Sequence, residues 1–134
     1  GTQMDRRVIN PWTWQDSFGF VQANEIAGVQ RQLLCSGQTS LDADGTPVHP
    51  GDMAAQVGQA FDNLEVVLKE SGFSLSDVMK LNYYTTDVEA FIESAQVWGQ
   101  RLGEAGCRPA STLLGVARLA FPERLVEIEA TAMA

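Results

Sequence analysis

Two stretches of the chain carry apolar residues at intervals of three and four, the spacing that places side chains on one face of an α-helix. The first stripe comprises Met53, Val57, Phe61, Leu64 and Leu68. The second comprises Val88, Phe91, Ala95, Trp98 and Leu102. The pattern therefore predicts two amphipathic helices, each with one buried face.

Residues that start and stop helices frame both stripes. Asp52 occupies the N-cap position of the first helix, and Gly72 lies just beyond its end. A capping-box pattern over residues 86–89 opens the second helix, and Gly106 and Pro109 end it. These signals predict helices that begin at about residue 53 and residue 87.

Six further segments are rich in β-branched and aromatic residues and are predicted to be strands. They cover residues 7–9, 18–25, 31–36, 78–86, 111–118 and 125–132. Gly28 favours a hairpin that pairs the second strand with the third. The strand–helix–strand order favours a parallel pair of the fourth and fifth strands, and the chain ends favour antiparallel pairing. The order predicts an α+β domain with a mixed sheet and two helices packed on one face.

The last predicted strand alternates between apolar residues and carboxylates. We expect one set of its side chains under the helices: Val126, Ile128, Ala130 and Ala132. We expect a second set on the opposite face of the sheet: Leu125, Glu127, Glu129 and Thr131, together with Leu33, Tyr83 and Leu113. A half-apolar open face on a small domain is typical of a subunit contact, so the pattern predicts a homo-oligomer.

The composition is that of one globular domain covering residues 1–134. Apolar residues make up 45% of the chain and charged residues 19%. No apolar run approaches the ~20 residues of a membrane span, and no signal-peptide pattern follows Arg6 and Arg7. We therefore expect a cytoplasmic protein with no membrane partner. Gly1-Thr2-Gln3 precede Met4, and we expect them to be a remnant of expression.

Charge and cysteine content exclude several classes of function. Nine Lys and Arg against 17 Asp and Glu give a net charge of −8, which repels phosphate backbones, so nucleic acid is not an expected partner. Cys35 and Cys107 lie far apart, and with one His in the chain they give neither a zinc-ligand spacing nor a CxxC pair. We expect two reduced thiols, no metal and no cofactor.

Three stretches of the chain resemble the YjgF/RidA (Rid) family. They are "CSGQTSLDADGTPVHPGDMAAQVGQAFDNLEVVL", "DVMKLNYYTTDVEAF" and "RPASTLLGVARLAFPERLVEIEATA", which together span most of residues 18–133. The resemblance implies a chorismate-mutase-like fold and a homotrimer with a cleft between each pair of adjacent subunits. It also implies hydrolysis of reactive enamines or imines to a carbonyl compound and ammonia.

The resemblance also implies a set of site residues. Glu127 matches a glutamate that orients or activates water in the family, and Ser36 and Gly37 match a Ser-Gly pair that lines the cleft. Phe20 stands where catalytic members carry a tyrosine, Leu113 where a cysteine is frequent, and Ala95 where an asparagine is found. We therefore expect Glu127 to be catalytic and Phe20, Ser36, Gly37, Ser111 and Leu113 to contact the substrate.

Ser111 is the main departure from the family pattern, because it stands where the resemblance implies an arginine that grips the substrate carboxylate. A serine offers a single hydroxyl and no charge, whereas an arginine offers a rigid fork of donors. Loss of such a charge-assisted contact weakens binding of a 2-imino acid by about 30- to 1000-fold. We expect a family member outside the arginine-bearing deaminase group.

Several assignments stay open at the level of the sequence. Glu127 fits either a cleft residue or a solvated sheet carboxylate, and Glu129 fits an ion-pair partner of Arg118. Trp12 and Trp14 fit either an anchor for the N-terminal arm or an apolar lid over the cleft, which would suit an aromatic ligand. His49 fits a solvated loop residue. The chain is accordingly an enamine or imine hydrolase, a small-molecule-binding protein without turnover, or, against its charge, a ribonuclease or translation inhibitor.

Overall fold

A computed structural model describes residues 3–134, and the expectation for Gly1 and Thr2 lies outside these residues. The strands are β1 (Asp5–Ile9), β2 (Ala23–Ala27), β3 (Gln32–Leu34), β4 (Val78–Thr85), β5 (Ala110–Gly115) and β6 (Val126–Met133). The α-helices are α1 (Met53–Glu70), α2 (Val88–Glu93) and α3 (Ala95–Ala105). Short 3₁₀ turns cover Asp16–Phe18 and Leu75–Asp77. Among residues 3–134, no helix is long and apolar enough to cross a membrane.

The main sheet has four strands in the order β3-β6-β4-β5. β4 and β5 are parallel and the other pairs are antiparallel, which confirms the predicted mixed sheet. The predicted pairing of β2 with β3 is wrong, because β2 pairs with β1 in a separate two-stranded sheet. β3 pairs with β6 instead, and the Asn24 side chain of β2 donates to the backbone oxygens of Met79 and Arg108. These contacts hold β2 beside the β4–β5 edge.

Helix α1 confirms both of its predicted ends. The Asp52 carboxylate accepts a hydrogen bond from the Ala55 amide at 3.1 Å, and Gly72 has the left-handed φ of 77° that suits a residue without a Cβ. Seven of its side chains are buried, and Phe61, Leu64 and Leu68 are fully buried in the core. The apolar stripe therefore faces the sheet as its spacing predicts.

The second predicted helix is two helices, α2 and α3, that meet at Ser94. Its hydroxyl donates to the Ala90 carbonyl at 2.9 Å and its amide donates to the same oxygen at 3.1 Å, so the end of α2 is closed by both groups of Ser94. The N-cap is Asp87 rather than Thr86, because the Thr86 amide is still bonded to the Leu125 carbonyl beside the sheet. Gly106, with φ of 65°, ends α3 as predicted.

The ladder register shows which side chains share a face of the sheet. Leu81, Tyr83, Val126 and Ile128 are buried beneath the helices, and we call this side the helix face. The prediction that Leu33, Tyr83 and Leu113 lie beside the glutamates is wrong. Leu33 pairs with Ala132, and Leu113 and Ile128 both pair with Tyr83, so all three predicted residues lie on the helix face.

The opposite side, which we call the open face, carries Glu127 and Glu129 as predicted. The apolar residues on this face are Leu34, Tyr84 and Leu114, each of which follows one of the three predicted residues in the chain. Leu34 is 72% exposed, Leu114 is 48% exposed, and Tyr84 is half-buried. Successive side chains of a strand point to opposite faces, so an error of one residue in the predicted register assigns each of these three strands to the wrong face. The open face is still half-apolar and uncovered within one chain.

Candidate functional site

The predicted site residues fall into two groups on opposite faces of the sheet. Ser111 and Leu113 lie on the helix face of β5, and Phe20 lies beside them on the loop before β2. Gly37 and Glu127 lie on the open face. Ser111 pairs with Leu81 and Glu127 with Tyr84, so their Cα atoms are about 14 Å apart from strand spacing and rise alone. One chain does not bring the two groups together.

The first group lines a cavity of about 440 Å³ that we call the aromatic pocket. Six of its lining residues are aromatic: Trp14, Phe18, Phe20, Tyr83, Phe91 and Trp98. The others are aliphatic or carry a hydroxyl: Ser17, Ile92, Ala95, Ser111 and Leu113. A volume of this size is that of a small-molecule site. Three of the predicted substrate contacts, Phe20, Ser111 and Leu113, are therefore neighbours.

Ser111 contributes a neutral hydroxyl to this pocket. Its Oγ donates to the Leu81 carbonyl oxygen at 2.5 Å, so the proton is already engaged and the oxygen keeps its lone pairs for another donor. Arg31 does not line this pocket, because its guanidinium stacks over the Phe73 ring at 4.5 Å. Among residues 3–134, no charged side chain lines the aromatic pocket.

The second group lines a shallower cavity of about 350 Å³ that we call the carboxylate cleft. It contains Gly37, Tyr84, Val116, Arg118, Leu119, Ala120, Glu127 and Glu129. The Glu127 side chain lies against the Gly37 backbone so closely that a Cβ on residue 37 would be 2.0 Å from Glu127 Oε1. A residue without a side chain is required at position 37 to keep the carboxylate there. Ser36 is exposed beside this cleft, and its carbonyl accepts from the Gln38 amide.

Glu129 is held by neutral partners rather than by a cation. Its Oε1 accepts hydrogen bonds from the Tyr84 hydroxyl and, at 3.3 Å, from the Asn82 amide. The predicted ion pair with Arg118 is wrong: across residues 3–134, the ion pairs all involve Arg101. The hydrogen bond to Glu129 raises the pKa of Tyr84, so the phenol stays protonated.

Neither cysteine has the environment of a nucleophile. Burial raises the pKa of the Cys107 thiol to about 12 and also raises the pKa of the Cys35 thiol. Both thiols are free, as predicted. Within residues 3–134, no three His, Cys, Asp or Glu side chains are grouped so that they could hold a metal ion. His49 is exposed, as a solvated loop residue.

Six residues that line the aromatic pocket were not predicted as site residues: Ser17, Phe18, Tyr83, Phe91, Ile92 and Trp98. Phe91 and Trp98 belong to the apolar stripe, and periodicity alone does not distinguish a core residue from a pocket wall. The sequence feature that pointed to this pocket was the pair Trp12 and Trp14, which precedes β2. Trp14 lines the pocket and contacts Phe20 edge to face at 6.1 Å, whereas Trp12 is not among the lining residues.

Comparison with known proteins agrees with this architecture. The family model described as Endoribonuclease L-PSP matches residues 17–134. A RutC family protein of Pyrococcus horikoshii is 33% identical over 100 residues, which cover 75% of this chain and 77% of that protein.

Solved structures extend the similarity over the whole domain. A Yersinia pestis structure, described as a protein of unknown function of the conserved Rid family, has a TM-score of 0.83 and 36% identity, covering 96% of this chain and 98% of that one. E. coli TdcF with bound serine has a TM-score of 0.70 and 26% identity, covering 86% and 87%. The predicted YjgF-like fold is thereby confirmed, and the chain belongs to the Endoribonuclease L-PSP family, which includes the Rid and RutC proteins.

Proposed function

We propose that this protein is a homotrimer whose inter-subunit clefts bind a small metabolite and hydrolyse its enamine or imine to a carbonyl compound and ammonia. The observation that carries the proposal is the division of the candidate site between two faces of one sheet. Ser111, Leu113 and Phe20 belong to the aromatic pocket, and Gly37 and Glu127 to the carboxylate cleft. A neighbouring subunit packed on the open face supplies the missing half.

The uncovered apolar residues of the open face support such packing. Leu34 on β3 and Leu114 on β5 lie at the two edges of a sheet face that no helix covers, and exposed apolar surface of this kind is typical of subunit contacts. Tyr84 and the Glu129 side chain that it binds lie between them, on the two central strands, and supply a polar contact. The inter-subunit cleft of the proposed trimer then forms where the carboxylate cleft of one subunit meets the aromatic pocket of the next.

We expect Leu34→Asp to dissociate the trimer. Leu34 is 72% exposed in a single chain, so the aspartate fits the isolated subunit but places a charge in a subunit contact. Light scattering coupled to gel filtration should give the mass of three chains for the wild type and of one chain for the variant. Val66→Asp is the matched control, because Val66 is 67% exposed on α1, away from the open face. A trimeric Leu34→Asp protein would contradict the proposed interface.

Glu127 is the candidate base for the reaction. Its carboxylate lies against Gly37 at the edge of the carboxylate cleft, half-buried and close to where the neighbouring pocket would meet it. Water adds to the carbon of the C=N bond and gives one proton to Glu127, which passes that proton to the imine nitrogen. Glu127 then takes the hydroxyl proton of the carbinolamine and returns it to the amine nitrogen as the C–N bond breaks, so ammonia leaves and the carbonyl compound remains.

We expect Glu127→Gln to lower ammonia release at least 100-fold, because the amide accepts no proton from water. Gly37→Ala should lower it about 10- to 100-fold, since the added Cβ displaces the carboxylate without removing it. The measurement is ammonia release from imines generated in situ, with and without a carboxylate, above the spontaneous rate. Glu25→Gln, at an exposed position on β2, is the matched control. A Glu127→Gln protein at the wild-type rate would exclude this mechanism.

Binding without turnover is the second candidate, and the neutral aromatic pocket favours it. Ser111 gives no charged grip for a 2-imino acid, so a trimer that binds a ligand and releases no ammonia across the imine panel would fit this function. Cleavage of RNA has the least support, although the family model's description carries that name, because a chain of net charge −8 repels a phosphate backbone.

A further inference from the structure

The aromatic pocket has a chemistry of its own. Its lining is dominated by aromatic rings, and no lining side chain among residues 3–134 carries a charge. A carboxylate that entered this cavity would leave water without gaining a cation, so its transfer into the cavity is unfavourable. A neutral ring would instead exchange water for aromatic and aliphatic contacts on several sides. The walls therefore select against an anion and for a neutral aromatic ligand.

The inner wall is fixed before any ligand arrives. Phe91 and Trp98 stack at a centroid distance of 5.6 Å and an interplanar angle of 5°, and Tyr83 lies 4.9 Å from Phe91. The Trp98 indole N–H donates to the Phe91 carbonyl at 2.9 Å, which satisfies its one donor and fixes the ring. A wall held in this way loses little entropy on binding.

The outer wall is open to solvent. Trp14 is 61% exposed and Phe18 is 53% exposed, although both line the cavity. Trp14 packs edge to face on Phe20, so its ring is oriented by the protein while one side stays available. A planar molecule that enters between this wall and the fixed inner wall meets aromatic rings on two sides.

Two residues that line the pocket carry a hydroxyl group besides Ser17, and Ser111 supplies the polar contact. Ser111 Oγ keeps its lone pairs after donating to Leu81, so it accepts a hydrogen bond from an N–H or O–H of the ligand. Tyr83 is 94% buried and lines the cavity, and its hydroxyl has no hydrogen-bond partner among the described residues. Burial raises the pKa of Tyr83, so this phenol stays neutral. The pocket therefore offers one accessible acceptor, Ser111 Oγ, and an uncharged phenol in its wall, which suits a neutral ligand with a donor.

We propose that the aromatic pocket binds a neutral aromatic molecule of one or two rings that carries an N–H or O–H, and that the C=N compound acted on in this cleft is of that class. The inference rests on the proposed function, because it names the ligand class of the same cleft. It separates this chain from a protein that selects its substrate through a carboxylate.

The test is a titration with indole, 1-methylindole, benzoate and pyruvate, followed by calorimetry on the intact protein. We expect indole to bind at least ten times more tightly than benzoate, and pyruvate to show no saturation. Indole should exceed 1-methylindole by about 3- to 10-fold through the hydrogen bond to Ser111. Equal or tighter binding of benzoate overturns the proposal.

Two substitutions at Ser111 assign the effect to the pocket. Ser111→Ala should remove the preference for indole over 1-methylindole, because it deletes the hydroxyl without filling the aromatic pocket. Ser111→Arg should tighten benzoate at least tenfold and weaken indole. Val66→Arg is the matched control, because Val66 is 67% exposed on α1, away from the open face, and does not line the aromatic pocket. If Val66→Arg changes benzoate binding as much as Ser111→Arg does, the proposal is wrong.

This design keeps the two proposals separate. Binding is measured without turnover, so indole selectivity without ammonia release supports the inference and removes the hydrolase function. Ammonia release that depends on Glu127, without indole selectivity, supports the proposed function and removes the inference. Should Ser111→Arg fail to fold by circular dichroism, the Ser111→Ala comparison still decides the outcome.

Discussion

Replacing Phe61 by alanine is expected to lower the free energy of unfolding by about 3–5 kcal/mol. Phe61 is fully buried in the middle of α1 and packs between the helix and the sheet. Its ring lies 6.5 Å from that of Tyr83, and the Arg101 guanidinium sits over it at 5.5 Å. Truncation therefore leaves a cavity lined by groups that are fixed on other elements.

Urea denaturation followed by circular dichroism measures the effect, at one fixed protein concentration, because dissociation of an oligomer is coupled to unfolding. Val66→Ala is the matched control, since Val66 lies on the same helix with 67% of its surface exposed and should change stability by less than about 0.5 kcal/mol. A loss below about 1.5 kcal/mol for Phe61→Ala would mean that the site collapses around the missing ring. The substitution should also weaken indole binding, because Tyr83, which lines the aromatic pocket, loses the Phe61 ring that packs against it.

The helices and the faces of β6 were predictable because each depends on a local period. The stripe from Met53 to Leu68 has one apolar face, and alternation along β6 puts Ile128 inside and Glu127 outside whatever the strand pairs with. The partner of β2 was not predictable. Strands of three and five residues carry too few side chains to specify pairing, so Asn24 and the β6 backbone decide it.

The composition of the candidate site was predictable only through the resemblance, and its geometry was not. Ser111, Leu113 and Phe20 do share one pocket. Their separation from Glu127 depends on the register of β4 against β5 and β6, and a shift of one residue would have put all of them on one face. Physical reasoning from a single strand does not fix that register.

The division of the site gives each half a distinct task. Glu127 lies against a glycine in a polar cleft, where it is accessible to water, whereas Ser111 lies in an uncharged aromatic cavity. A base and its substrate pocket can then be altered separately, because Glu127 and Ser111 lie on opposite faces of the sheet and share no neighbour.

Gln56→Leu is expected to lower the free energy of unfolding by about 2–4 kcal/mol. Gln56 is 1% exposed and stands within the apolar stripe of α1. Its amide nitrogen donates to the carbonyls of His49 and Glu123, each at 3.1 Å, and its oxygen accepts from the Leu125 amide at 2.9 Å. Leucine has a similar volume but removes all three hydrogen bonds; the His49 carbonyl keeps the Asp52 amide at 3.2 Å, whereas the Glu123 carbonyl and the Leu125 amide lose Gln56.

Loss of the Gln56 hydrogen bonds should also displace the candidate site, because two of the three backbone groups lie next to β6. Glu123 and Leu125 immediately precede β6, so Gln56 ties α1 to the start of the strand that carries Glu127. We expect ammonia release to fall about 10-fold in Gln56→Leu through misplacement of that carboxylate. Gln100→Leu is the matched control, because the exposed Gln100 amide reaches only Glu104, at 2.8 Å, within α3. A Gln56→Leu protein with wild-type stability and rate would show that the sheet alone positions β6.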